Sequence, residues 1–106
     1  MLNKEKAASL LGLAMKAGQV VSGEFSAEKT IRSGKAHLVI LSEDASENTR
    51  KKFTNMAVWY KVPVTEFLPK ADLGRRIGKG ERSVAAVTDK NLAEAIKKQL
   101  GIQTEA

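Results

Sequence analysis

A chain of 106 residues, 42% of them hydrophobic and none cysteine, suits one domain with its own core and excludes disulfides and thiolate metal sites. Eighteen Lys and Arg against twelve Asp and Glu leave a net charge of +6, which favours an anionic partner, nucleic acid first among them. The N-terminus reads as free of a secretory signal, because Asn3, Lys4, Glu5 and Lys6 interrupt it, and no apolar run nears the ~20 residues of a membrane span.

Helical and extended patterns alternate along the chain. Asn3 caps a first helix to about Ala17, with Ala7, Leu10, Leu11 and Ala14 on one face and Gly18 as the stop. Val20-Val21 is extended, and Ser22-Gly23 introduces a second helix from Glu24 to Ser33, ended by Gly34. The unbroken run Leu38-Val39-Ile40-Leu41 predicts a strand covered on both faces. Ser46 caps a third helix to about Tyr60, with Glu47 near its positive end. Val62 to Phe67 is extended, and Pro63 marks a strand start or an edge. Pro69 opens a short helix through Ile77, Lys79 to Arg82 form a loop, and Ser83 to Thr88 form another buried strand. Asp89 caps a last helix with Leu92, Ala93, Ile96 and Leu100 inward, stopped by Gly101. Five helices and four short strands in this order predict an α/β fold, a sheet between helical layers. The single domain spans residues 1–101, with 102–106 as a frayed tail.

The charge is unevenly spread. Lys70, Arg75, Arg76, Lys79 and Arg82 against Asp72 and Glu81 place +3, half of the net charge, on residues 70–82. Catalytic constellations are thin. The single histidine, His37, stands in no context that marks a base or ligand and reads as structural or surface. Glu43, Asp44 and Glu47 are better explained by the helix dipole than by a divalent ion. Gly74 to Gly80 fails the nucleotide-loop pattern: three residues separate its first glycines, Gly80 replaces the hydroxyl residue, and a strand follows. The chain is therefore read as no enzyme, with no cofactor and no metal.

Phosphate binding without hydrolysis fits better. Gly23 permits close backbone approach, the second helix aims free N–H groups at an anion, and Lys29 and Arg32 are neighbours on its surface. A glycine turn before a solvated helix explains the same segment. Phe25 is expected to pack into the core, the other option being an exposed ring on which a base stacks. Trp59 and Tyr60 are expected to fill core and interface.

Several stretches resemble a known family: LLGLAMKAGQVVSGE at 10–24, IRSGKAHLVILSEDASENT at 31–49, VPVTEF at 62–67 and DLGRRIGKGERSVAAV at 72–87. Together they resemble the ribosomal-protein superfamily that binds kink-turn RNA, and within it the small bacterial branch called YlxQ. The resemblance implies a three-layer α/β/α sandwich with four short strands in a mixed sheet, binding structured RNA without catalysis. It implies an RNA surface of three parts. One is the helix start from Gly23 to Lys29, with Glu24 and Phe25; another is the strand end, Ser42, Glu43 and Asp44; the third is the loop from Lys79 to Ser83, with Arg82. Arg32, beside Lys29 on the helix surface, is expected to add a phosphate contact. Kink-turn readers carry Asn-Glu where this chain has Phe25 and Ser26, and phenylalanine offers no hydrogen bond to a base edge.

The resulting expectation is a cytoplasmic, monomeric protein that binds kink-turn-like or internally looped RNA in a ribosome or translation setting, away from membranes. The alternative is a protein-interaction module of the translation or transcription apparatus that kept the fold and lost the RNA.

Overall fold

The computed structural model describes residues 2–102. Most of the expected tail, residues 103–106, lies outside them, while Ile102 donates its N–H to Lys97 O at 2.9 Å and so closes the last helix. The described residues form α1 (Lys4–Lys16), β1 (Val20–Ser22), α2 (Glu24–Arg32), β2 (Leu38–Leu41), α3 (Glu47–Tyr60), β3 (Val64–Glu66), α4 (Lys70–Arg76), β4 (Val84–Val87) and α5 (Lys90–Gln99). The order is the expected one, and the boundaries follow the local chemistry.

Three helix starts are fixed by side chains that accept a hydrogen bond from a free backbone N–H. Asn3 Oδ1 accepts from Lys6 N–H at 3.0 Å, Ser46 Oγ from Thr49 N–H at 3.2 Å, and Asp89 Oδ2 from Leu92 N–H at 2.8 Å. α3 ends without glycine: Lys61 takes the left-handed conformation, φ 59°, and its N–H reaches back to Val58 O.

The sheet has the order β1-β4-β2-β3. β4 runs antiparallel to both neighbours, with Val20 opposite Val87 on one side and Leu38 opposite Val87 on the other. β2 and β3 are parallel, with Val39 opposite Val64. The sheet is therefore mixed, and β3, which follows Pro63, is an edge strand. Both central strands are buried throughout, as their unbroken apolar runs predicted.

The twofold alternation of strand side chains divides the core into two layers. Leu38 and Ile40 of β2 and Ala85 and Val87 of β4 face α1, α4 and α5, where they meet Leu11, Leu73 and Ile96. Val39, Leu41, Val84 and Ala86 face α2 and α3, where Ala27, Ile31, Phe53 and Met56 cover them. Helix, sheet, helix: the three-layer α/β/α sandwich is present.

Phe53 is the largest fully buried side chain in the α2–α3 layer. Phe53→Ala is expected to lower stability by about 3–5 kcal/mol, read from the urea midpoint at unchanged slope.

Candidate functional site

Strand direction gathers the polar residues at one rim of the sheet. β1, β2 and β3 all end there, at Ser22, Leu41 and Glu66, and β4 begins there at Val84. α2, α3 and α4 consequently all start from the same rim, each presenting the positive end of its dipole.

Gly23 shapes the centre of the rim. Its φ of 90° and ψ of 155° lie in a region that is essentially restricted to glycine, and its N–H donates to Val84 O at 3.0 Å. As the N-cap of α2 it has no side chain to offer, and the N–H groups of Glu24, Phe25 and Ser26 have no protein acceptor among the described residues. They open beside a groove of about 390 Å³ lined by Ser22, Gly23, Glu24, Phe25, Ser26, Glu81, Arg82, Ser83 and Val84.

The expected site residues divide into three groups. Gly23, Glu24, Phe25, Arg82 and Ser83 line this groove together. Lys29 and Arg32 line the next depression along α2, with Phe25 and Glu28. Glu43, Asp44 and Lys79 line neither. The Glu43 carboxylate pairs with Lys4 Nζ at 3.5 Å, and Asp44 Oδ1 accepts from Lys70 N–H at 2.9 Å. Both acids fasten rim loops here. Lys79 is fully on the surface and has no carboxylate within ion-pair distance among the described residues.

Two expectations about aromatic rings are overturned. Phe25 is not packed in the core: it is 82% exposed. At 100° per residue it stands about 200° around the helix from Ala27, which is buried, and so shares the outer face with Lys29 and Arg32. Trp59 is likewise no core filler, being 79% exposed. The buried stripe of α3 runs through Thr49, Phe53, Met56 and Ala57, and Trp59 lies off it while half-buried Tyr60 stays close to it.

The charges of residues 70–82 are also less available than their count suggested. Arg75 pairs with Asp72, and Arg76 NH2 with Glu5 Oε2 at 2.8 Å. Arg82 is the one cation of the segment in the groove, where Nε donates to Ser22 Oγ at 3.2 Å and NH1 to Glu81 O at 2.9 Å. The Glu24 carboxylate is engaged, its Oε2 accepting from Thr49 Oγ1 at 2.9 Å. On α2, Glu28 lies between Lys52 Nζ at 2.8 Å and Arg32 Nε at 3.0 Å. These cations, Lys52 first, hold its carboxyl below the usual carboxylate range, and Glu28 in turn raises the Arg32 guanidinium. The rim thus combines backbone donors and one arginine in the groove with cations along its flank.

Among the described residues no three His, Cys, Asp or Glu side chains are grouped to hold a metal, and His37 is exposed, its backbone N–H donating to Val87 O. No helix among them is long and apolar enough to cross a membrane.

The site sits within a recognised framework. Residues 5–98 match the Ribosomal protein L7Ae/L30e/S12e/Gadd45 family. The chain belongs to that family. It is similar to the RNA-binding protein YlxQ of Bacillus subtilis, with 52% identity over 82% of this chain and 87% of that one. The RNA-binding protein YlxQ of Enterococcus faecium is 40% identical over 90% of this chain and 91% of its own. A Bacillus halodurans protein of unknown function shares the structure at TM-score 0.86 and 39% identity, covering 89% of this chain and 95% of its own. The Giardia lamblia 15.5kD RNA binding protein has a TM-score of 0.76 and 20% identity over 94% and 92% of the two chains, a likeness of fold. The YlxQ-like resemblance read from the motifs is confirmed.

Sequence reasoning missed one residue that shapes the rim, Gly74. It is buried in α4, and a Cβ there would lie 1.8 Å from Gly80 O and 2.6 Å from Gly80 C. No local signal announces this, because the clash is with backbone six residues away. Gly74→Ala is expected to push the 79–83 loop off its seat and cost about 1–3 kcal/mol, visible as a lower melting temperature and shifted amide resonances in that loop.

Asp44 supplies a pH test. The Lys70 N–H, donating to the Asp44 carboxylate, holds that carboxyl below the ordinary range. A depressed carboxyl stabilises the fold above its unfolded pKa, and that contribution is lost as pH falls through the lower folded value. Asp44→Ala should therefore be less stable than the parent at neutral pH, with the gap narrowing as acidification goes below the ordinary carboxylate range. Urea midpoints across that range measure it.

Proposed function

We propose that this chain is a non-catalytic RNA-binding protein that seats a kinked or internally looped RNA on the rim of its sheet. The observation that carries the reading is the open start of α2. Three backbone N–H groups without acceptors, a groove with Arg82 at its wall and an exposed Phe25 lie side by side. Backbone donors at a helix start suit a phosphate or a base carbonyl, and a free ring offers a surface for a base or ribose. Lys29 and Arg32 on one flank and Lys79 on the other take phosphates of the two arms.

The relatives named as RNA-binding support the same class, as does membership of the family. Glu43 and Asp44, which belong to the expected RNA surface, contribute by holding the rim loops in place rather than by touching bases. Phe25 and Ser26 replace the side chains that would read the edges of tandem G·A pairs, so selection rests on the shape of the bend and on stacking. A monomeric domain over residues 1–101 acting in the cytoplasm, in a ribosome or translation context, is the setting that fits such a reader.

Lys29 and Lys79 are the informative pair for mutation, since each is exposed and has no carboxylate partner among the described residues, whereas Arg82 also holds the groove together. With about four phosphates neutralised, binding to a kink-turn hairpin should show a log–log salt slope of roughly −3 to −4. Lys29→Glu with Lys79→Glu should weaken binding at every salt concentration and flatten that slope by about 2, with the circular-dichroism melt unchanged. Equal, feeble binding to the hairpin, to its G·A-disrupted form and to plain duplex removes the shape-reading claim. Retention of a protein after nuclease treatment would then favour the interaction-module alternative.

A further inference from the structure

The groove at the start of α2 does not end at Phe25. Phe25 also lines a second depression of about 390 Å³ with Glu28, Lys29 and Arg32. Arg32 in turn lines a third, about 360 Å³, with Lys52, Asn55, Met56, Trp59 and Tyr60. Three depressions therefore run end to end along α2 and across to α3, each sharing a side chain with the next. Phe25, Lys29 and Arg32 stand at i, i+4 and i+7, one face over two turns, about 10 Å along the helix axis.

We propose that this track carries an unpaired RNA strand leaving the kink, and that one of its bases stacks on Trp59. The proposal rests on the RNA-binding reading of the rim and extends it to a second contact on α3. Trp59 is 79% exposed, and Val58 beside it in the sequence is 72% exposed. The groove neighbours of Trp59 are a guanidinium, an ammonium, an amide and a phenol, with the thioether of Met56 among them. An aromatic face set among cations and hydrogen-bonding groups is the composition that holds single strands.

The cations are already in place. Glu28 binds Lys52 Nζ at 2.8 Å and Arg32 Nε at 3.0 Å, which fixes both beside the path. Counted with Lys29, the track carries three positive side chains against one carboxylate, an excess that matches a phosphodiester strand. The face of Trp59 supplies affinity without selecting a base, since every base has a stacking surface.

Trp59 is the only tryptophan in the sequence, so its fluorescence reports this contact alone. The experiment titrates a blunt kink-turn hairpin and the same hairpin bearing an unpaired uridine extension of about six nucleotides at either end. One extension is expected to tighten binding roughly tenfold and to quench the tryptophan emission, while the blunt hairpin binds with little quenching. Trp59→Ala should remove the gain from the extension and leave the blunt hairpin unaffected, and Trp59→Phe should keep most of it. No gain from either extension, no quenching at saturation, or equal loss for both RNAs in Trp59→Ala overturns the proposal. If no hairpin is bound at all, the reading of the rim falls instead. The uridine oligomer alone then decides this contact: quenching supports it, and its absence or a protein bound through Trp59 overturns it.

Discussion

The position of β4 governs everything else in this molecule. It lies between β1 and β2 and runs against both, so that where β1 and β2 finish, β4 starts. Parallel β3 adds a third strand end to the same rim. Its connections are then obliged to meet: the turn into α2, the loop into α3, the loop into α4 and the loop out of α4. Hydrogen bonds between these loops show how tightly. Ser42 N–H donates to Ser83 O, Glu43 N–H to Leu68 O, and Lys70 joins two of them, its N–H on Asp44 and its O accepting from Arg82 N–H. The rim is rigid because its loops satisfy one another's backbone groups rather than solvent's.

That rigidity changes how charge and polarity should be read. A net charge of +6 describes attraction at a distance, not a surface. Arg75 and Arg76 spend theirs on Asp72 and Glu5, tying α4 to itself and to α1, and Glu43 and Asp44 fasten the rim. What remains for a ligand is smaller and more directional: backbone donors at α2, Arg82 in the groove, and the cations of α2 and α3. Pairing through Glu28 is no loss for the last group, because it holds Lys52 and Arg32 beside each other at modest entropic cost.

Most of the fold was legible because its signals are local. Caps at Asn3, Ser46 and Asp89, glycine stops, and two continuous apolar runs define elements without reference to anything distant. The helix-start half of the site was legible for the same reason, Gly23 being a backbone requirement visible in the chain. Phe25 and Trp59 were misread by residue type where helical angle decides: Ala27 and Ile31 define the inner face of α2, and Phe25 is opposite to it. Gly74 and the fastening roles of Glu43 and Asp44 depend on partners 6 to 39 residues away, and no local pattern carries that information.

The exposed rings also bear on how such a surface discriminates. Leaving a phenylalanine 82% and a tryptophan 79% in water carries a hydrophobic cost that burial would have removed. Ala27 and Ile31 of α2 and Phe53 and Met56 of α3 take the inner faces, and their helical positions leave both rings outside. The chain has Phe25 and Ser26 at the helix start, so on the proposed RNA-binding reading the groove and the two exposed rings, rather than base-edge hydrogen bonds, would carry selection. On that reading a fixed groove would favour a bend and free rings unpaired bases, so that an RNA offering both would satisfy them together.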